Sequence, residues 1–169
     1  MLLIAGALAA DTWQVEATTG LWNGAELMSG RGGGVVWQRD ARMHEARFAY
    51  IEDFCIVVGC IEAPDIFRGM VLTGRRWERR RGRWMASVDL AAGLGGGRGL
   101  SGDDEPVPEV GAVGQVRASA GLTWLGVNAR SAMMVGNTPP SGEFSLSVYV
   151  TLPSSAARGA SSHGVTPAP

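Results

Sequence analysis

The segment EFSLSVYVTL, residues 143–152, alternates strictly. Phe144, Leu146, Val148 and Val150 fall on one side; Glu143, Ser145, Ser147, Tyr149 and Thr151 fall on the other. A period of two marks a half-buried strand. Residues 84–90, WMASVDL, alternate in the same way, and Trp84, Ala86, Val88 and Leu90 are expected to point inward. In residues 113–125, Val116, Ala118, Ala120, Leu122 and Trp124 share a face, and near the start Trp13, Val15 and Ala17 oppose Gln14 and Glu16. Phe54–Val58 and Met70–Leu72 are continuously apolar and read as central strands.

Turn chemistry separates these runs. Asn23-Gly24 is the strongest hairpin signal. Gly30, Gly32–Gly34, Gly59, Pro64-Asp65, Gly74, Gly82 and Asn137–Pro140 punctuate the rest. Asp40–Ile51 is the one helix candidate, through Ala41, Met43, Ala46, Ala49 and Tyr50, with a strand as the alternative from Phe48 onward. Strands at short intervals with glycine-rich turns predict a mainly β, antiparallel sandwich or barrel, jelly-roll-like arrangements included. Residues 1–152 form a single domain in this reading. Within it, residues 93–111, rich in glycine, acid and proline, form a long loop. Residues 153–169 form an extended tail with too few large apolar groups to fold alone.

Composition narrows the chemistry. The chain has 169 residues, 46% of them hydrophobic and 18% charged, with net charge −1. That is globular, and bulk charge does not drive it onto a polyanion. All 15 basic residues are arginine. Without lysine there is no Schiff-base catalysis and no standard P-loop. Cys55 and Cys60 do not make a disulfide framework; they pair only if Gly59 turns the chain, and buried free thiols are the preferred reading. The opening MLLIAGALAAD has an apolar run but no positive leading segment, and reads as a first strand or packing segment. No run approaches the ~18 apolar residues of a membrane-crossing helix.

The most unusual stretch is GRRWERRRGRW, Gly74 to Trp84, with six arginines and two tryptophans. A strand would send Arg75, Trp77, Arg79, Arg81 and Arg83 one way and Arg76, Glu78 and Arg80 the other. A hairpin bending at Arg81-Gly82 would place Trp77 and Trp84 at the core edge and fan the arginines into solvent. Guanidinium groups there would pair with carboxylates of a partner, or with the acidic segment Asp103, Asp104, Glu105 and Glu109. They would also suit phosphate, with steep salt dependence.

Other motifs carry less. Gly97–Gly102 matches GxGxxG, but three acids and a proline follow where a helix should begin, so no dinucleotide cofactor is expected. His44, His163 and the two cysteines lack metal-site spacing, so no metal is expected. There is no GxSxG elbow, and His44 reads as a structural histidine.

These observations lead to an expected non-enzymatic structural protein of a large assembly, in concrete form a virion component. Its partners would be copies of itself and other structural proteins, met through Arg75, Arg76, Trp77, Arg79, Arg80, Arg81, Arg83, Asp103, Asp104 and Glu105. It would lie in a virion or host cytoplasm, with no membrane span. The alternatives are a carbohydrate- or ligand-binding β module using Trp13, Trp22, Trp37, Trp77, Trp84 and Trp124, and a nucleic-acid binder using Arg75–Arg83.

Overall fold

A computed structural model describes residues 11–23, 27–52, 54–56, 59–61, 66–100 and 106–153. In chain order the strands are β1 (Thr12–Asn23), β2 (Leu27–Arg39), β3 (Arg42–Glu52), β4 (Phe54–Ile56), β5 (Gly59–Ile61), β6 (Ile66–Arg81), β7 (Trp84–Leu100), β8 (Pro106–Leu122), β9 (Leu125–Gly136) and β10 (Ser141–Pro153). Eight of them close an antiparallel barrel in the order β1-β10-β9-β8-β7-β6-β3-β2; β4 and β5 form a separate two-stranded hairpin between β3 and β6. Each barrel strand pairs with its neighbours in the chain, and β1 pairs with β10 to close the ring. A closed barrel, not a sandwich or jelly roll, is the solution found, and closure leaves no sheet edge to protect.

Three connections define one end, the turn end. Asp40-Ala41 joins β2 to β3, Gly82-Arg83 joins β6 to β7, and Thr123-Trp124 joins β8 to β9; Thr12 and Pro153 pair beside them. The β6–β7 turn needs a left-handed residue, and Gly82 supplies it at φ 59° without steric cost. A hairpin does bend there, as the arginine run predicts. The β1–β2 hairpin follows the Asn23-Gly24 signal.

The alternation is real and its direction is reversed. Phe144, Leu146, Val148 and Val150 face outward and stay exposed, while Glu143, Ser145, Ser147 and Tyr149 face inward and are buried. On β7, Val88 is 48% exposed and the adjacent Asp89 1%. Trp84, Ala86, Val88 and Leu90 therefore point away from the interior, opposite to expectation.

Two further expectations change. The helix candidate 40–51 is a turn and then β3, because Met43, Glu45, Arg47 and Ala49 alternate inward against His44, Ala46 and Phe48. Glycine-rich 93–111 is mostly paired strand: Gly93–Leu100 of β7 runs against Pro106–Val113 of β8. The amino-terminal segment 1–10, the acidic residues Asp103, Asp104 and Glu105, and the tail 154–169 lie outside the described residues. The Cys55–Cys60 question concerns side chains that also lie outside them, although backbone pairing sets Cys55 opposite Cys60.

Candidate functional site

The barrel presents three chemically distinct surfaces. The first is its outer wall. Along β10 it carries Phe144, Leu146, Val148, Val150 and Leu152; along β7, Val88, Leu90 and Leu94; along β9, Val127, Met133 and Val135. No charged side chain interrupts these rows. Such a continuous apolar surface far exceeds what a water-soluble monomer leaves open. On β6 the outward row runs from Phe67 through Val71 and Thr73 to Arg75 and Trp77, where the one arginine sits beside the tryptophan that ends it. Ten strand steps cover about 33 Å, or about 25 Å along the axis at a ~40° strand tilt.

Aromatic groups mark both limits of this belt. At the turn end stand the exposed Trp13, Trp77, Trp84 and Trp124. Trp37 joins them, with its ring 6.3 Å from Trp13 and stacked on His44 at 5.0 Å. At the other limit Phe48 stacks on Phe67 at 6.3 Å. Five of the six tryptophans thus belong to one rim, and only Trp22 is buried inside.

The second surface is the interior, and it is filled with charge. Five arginines and five carboxylates are buried there: Arg47, Arg68, Arg76, Arg117 and Arg130 against Glu16, Glu45, Asp89, Glu109 and Glu143. Among the described residues these buried charges balance. Arg117 reaches Glu16 at 2.5 Å, donates from Nε to Asp89 at 2.7 Å and lies 3.6 Å from Glu45. Arg130 joins Glu16 at 2.5 Å and Glu45 at 3.1 Å. Arg47 holds Glu143 with two bonds of 2.5 and 2.7 Å, and Arg68 holds Glu109 with two of 2.6 and 2.9 Å. Two-pronged arginine–carboxylate pairs of this kind fix geometry as well as charge. Apolar side chains fill the remaining space in two clusters, one around Val36, Met43, Leu72 and Met134 and one around Trp22, Ile51 and Ile66. An eight-stranded barrel has an interior just wide enough for side chains to fill, and here they do.

The third surface is the arginine-rich rim at the turn end. The structure splits the run that the sequence presents as one patch. Arg75, Arg79, Arg80, Arg81 and Arg83 are exposed, with Arg75 over the Trp77 ring at 5.8 Å and Arg80 paired with Glu78. Arg76 instead turns inside, where it donates to Asp89 at 2.7 and 3.0 Å, Gln38 at 2.6 Å and Gln14 at 2.9 Å. Trp77 and Trp84 lie on the outer wall rather than at a core edge. Leu100 and Pro106, which flank the acidic segment, pair at the far end of β7, sixteen strand steps or about 53 Å from Trp84. Glu109, also counted in that segment, is buried on Arg68.

Sequence reasoning missed the interior network entirely. Its signal was present as the polar alternants Gln115, Arg117 and Ser119, which lie between small and apolar neighbours. Among the described residues no group of three or more His, Cys, Asp or Glu could hold a metal ion. His44 faces outward, with the Trp37 ring as its partner.

No family model and no curated protein matches the chain. Solved structures do. The outer membrane enzyme PagL aligns with TM-score 0.66 and 12% identity over 81% of this chain and 98% of that one. Neisserial surface protein A aligns with TM-score 0.57 and 11% identity over 84% and 97%. The N-terminal β-barrel domain of Pseudomonas aeruginosa OprF aligns with TM-score 0.50 and 9% identity over 82% and 97%. The chain therefore has the fold of small eight-stranded outer-membrane barrels. These matches overturn the expected virion component in a virion or host cytoplasm, partnered by capsid or tail proteins. They overturn equally the expectation of no membrane span. No helix among the described residues is long and apolar enough to cross a membrane, but a barrel crosses with strands.

Proposed function

We propose that this chain is an integral protein of a bacterial outer membrane, a plugged eight-stranded barrel that acts as a non-enzymatic anchor. The carrying observation is the inverted pattern, with apolar side chains outward along the barrel strands and charge inward. A lipid-facing barrel needs that arrangement, because water is absent outside and every backbone group is satisfied by its neighbouring strand. The belt height of about 25 Å and the tryptophan rim suit a bilayer's hydrocarbon and its interface. The shared fold with outer-membrane barrels supports the same reading.

The paired, charge-balanced and filled interior supports a closed barrel without a conducting path. Activity then belongs to the far end, where the strand pairing of β7 with β8 ends and the β9–β10 connection lies. That connection is tied down: Asn137 accepts from the Val110 amide at 2.8 Å and donates to the Pro108 carbonyl at 2.9 Å, and Thr138 donates to Glu109 at 2.8 Å.

The test is refolding from denaturant into phospholipid vesicles, followed by flotation, circular dichroism and single-channel recording. Flotation with the vesicles, a β-sheet spectrum and silent bilayers are expected. A chain that folds in buffer and stays out of the vesicles would refute the membrane reading; steady conductance would refute the plug.

A further inference from the structure

We propose that the groove at the turn-end rim, between the β2–β3 turn and β6, holds the phosphate of an anionic phospholipid. The inference rests on the membrane reading above and deepens it by naming the lipid class. The groove has a volume of about 1000 Å³ and is lined by Trp37, Arg39, Arg42, His44 and Arg75, with Asp40 at its end. That is ample for a phosphodiester headgroup.

At the centre of the groove stands a like-charge pair. Arg42 and Arg75 are direct cross-strand partners, and both face outward. Like charges directly opposite one another across a sheet repel. The turn is nonetheless held against β6, since the Arg76 amide donates to the Ala41 carbonyl at 2.8 Å. The buried arginine clusters, by contrast, have carboxylates among them. Arg117 and Arg130 share Glu16 and Glu45, and Arg76 and Arg117 share Asp89. Arg42 and Arg75 have no carboxylate between them among the described residues. The one ring contact of Arg75 is with Trp77. Asp11 is taken by Arg39 at 3.8 Å. Asp40 lines the groove but forms no ion pair, and its φ of 55° reflects the tight turn. An anion between the two guanidinium groups would relieve the repulsion through charge-assisted hydrogen bonds.

The position selects a lipid over a dissolved anion. The pair lies on the outer wall at the tryptophan level, between Trp37 and Trp77. Indoles sit at the headgroup level of a bilayer, so the acyl chains of a lipid bound here would run down the apolar belt. Exposed Arg79, Arg81 and Arg83 on the next turn add positive charge beside it.

The experiment uses the full chain in vesicles of phosphatidylcholine containing brominated phosphatidylglycerol or brominated phosphatidylcholine in equal small fraction. Bromine quenches the rim tryptophans of any barrel that keeps that lipid beside it. Wild type should prefer the anionic lipid by about fivefold or more, the scale of one basic residue near a charged surface. Raising the salt should reduce that preference. Arg42→Gln/Arg75→Gln should bring it near unity, Arg42→Lys/Arg75→Lys should retain most of it, and Arg98→Gln at the far end should leave it unchanged. Equal quenching by the two lipids in an inserted wild-type barrel would overturn the inference and leave the membrane reading standing. So would loss of the preference in millimolar inorganic phosphate, which would mark a site for free anions. Failure of wild type to insert would overturn both. If the glutamine variant does not insert, the wild-type salt series and the lysine variant decide.

Discussion

Arg117 lies where three carboxylates converge, and the stability of the barrel depends on such points. Taking one cation from a buried ionic cluster leaves its partners charged and desolvated, a cost of about 3–5 kcal/mol. Arg117→Met should therefore lower the unfolding free energy in lipid or detergent by about that amount. Arg79→Gln, on the exposed rim, should change it by less than about 0.5 kcal/mol. Denaturant titration of the folded barrel measures both, and equal effects would show that the interior charges are hydrated rather than sequestered. At this scale the sequence is ambiguous for a clear reason. Arg75 and Arg76 are chemically identical neighbours, yet one meets the barrel exterior and the other Asp89, Gln14 and Gln38. Only long-range register separates their roles, and Glu16, Glu45 and Asp89 are too far apart in the chain to suggest a cluster.

At the scale of elements, alternation locates strands well and does not give their sense. The period in residues 143–152 and 84–90 identifies β10 and β7, and Gly82 and Asn23-Gly24 mark the β6–β7 and β1–β2 hairpins. Assigning the apolar face to a core assumes that water lies outside. The same alternation fits a strand with lipid outside and a polar interior, and β10 carries its apolar row outward. β3 escaped recognition because Glu45 and Arg47 on its inner face broke the apolar spacing, and Gly93–Leu100 because glycine suggests loop. The corrected sense makes a sharp prediction. Val88→Arg places a charge within the belt and should cost about 2–4 kcal/mol of folding free energy in vesicles. Arg placed at Ala86, nearer the tryptophan rim, should cost less. Equal tolerance at both positions would mean that the wall is not facing hydrocarbon.

For the whole molecule, the mainly β, antiparallel class is legible from period and turns, and a barrel is one of the two architectures they allow. Location is not legible in the same way. Barrel strands are short and half polar, so no segment carries the long apolar run that reveals a crossing helix. The tryptophans held the missing information. Trp13, Trp37, Trp77, Trp84 and Trp124 are scattered over more than a hundred positions and meet at one rim only when the barrel closes.

The most direct test is a residue-by-residue scan of β10. With Cys55 and Cys60 replaced by serine, single cysteines at positions 144 to 148 would be spin-labelled in the vesicle-bound protein. Labels at 144, 146 and 148 should collide with oxygen and escape a water-soluble nickel reagent, and labels at 145 and 147 should be shielded from both. Labels at 145 and 147 that meet the water-soluble reagent, with 144, 146 and 148 shielded from oxygen, would contradict an apolar wall turned toward lipid.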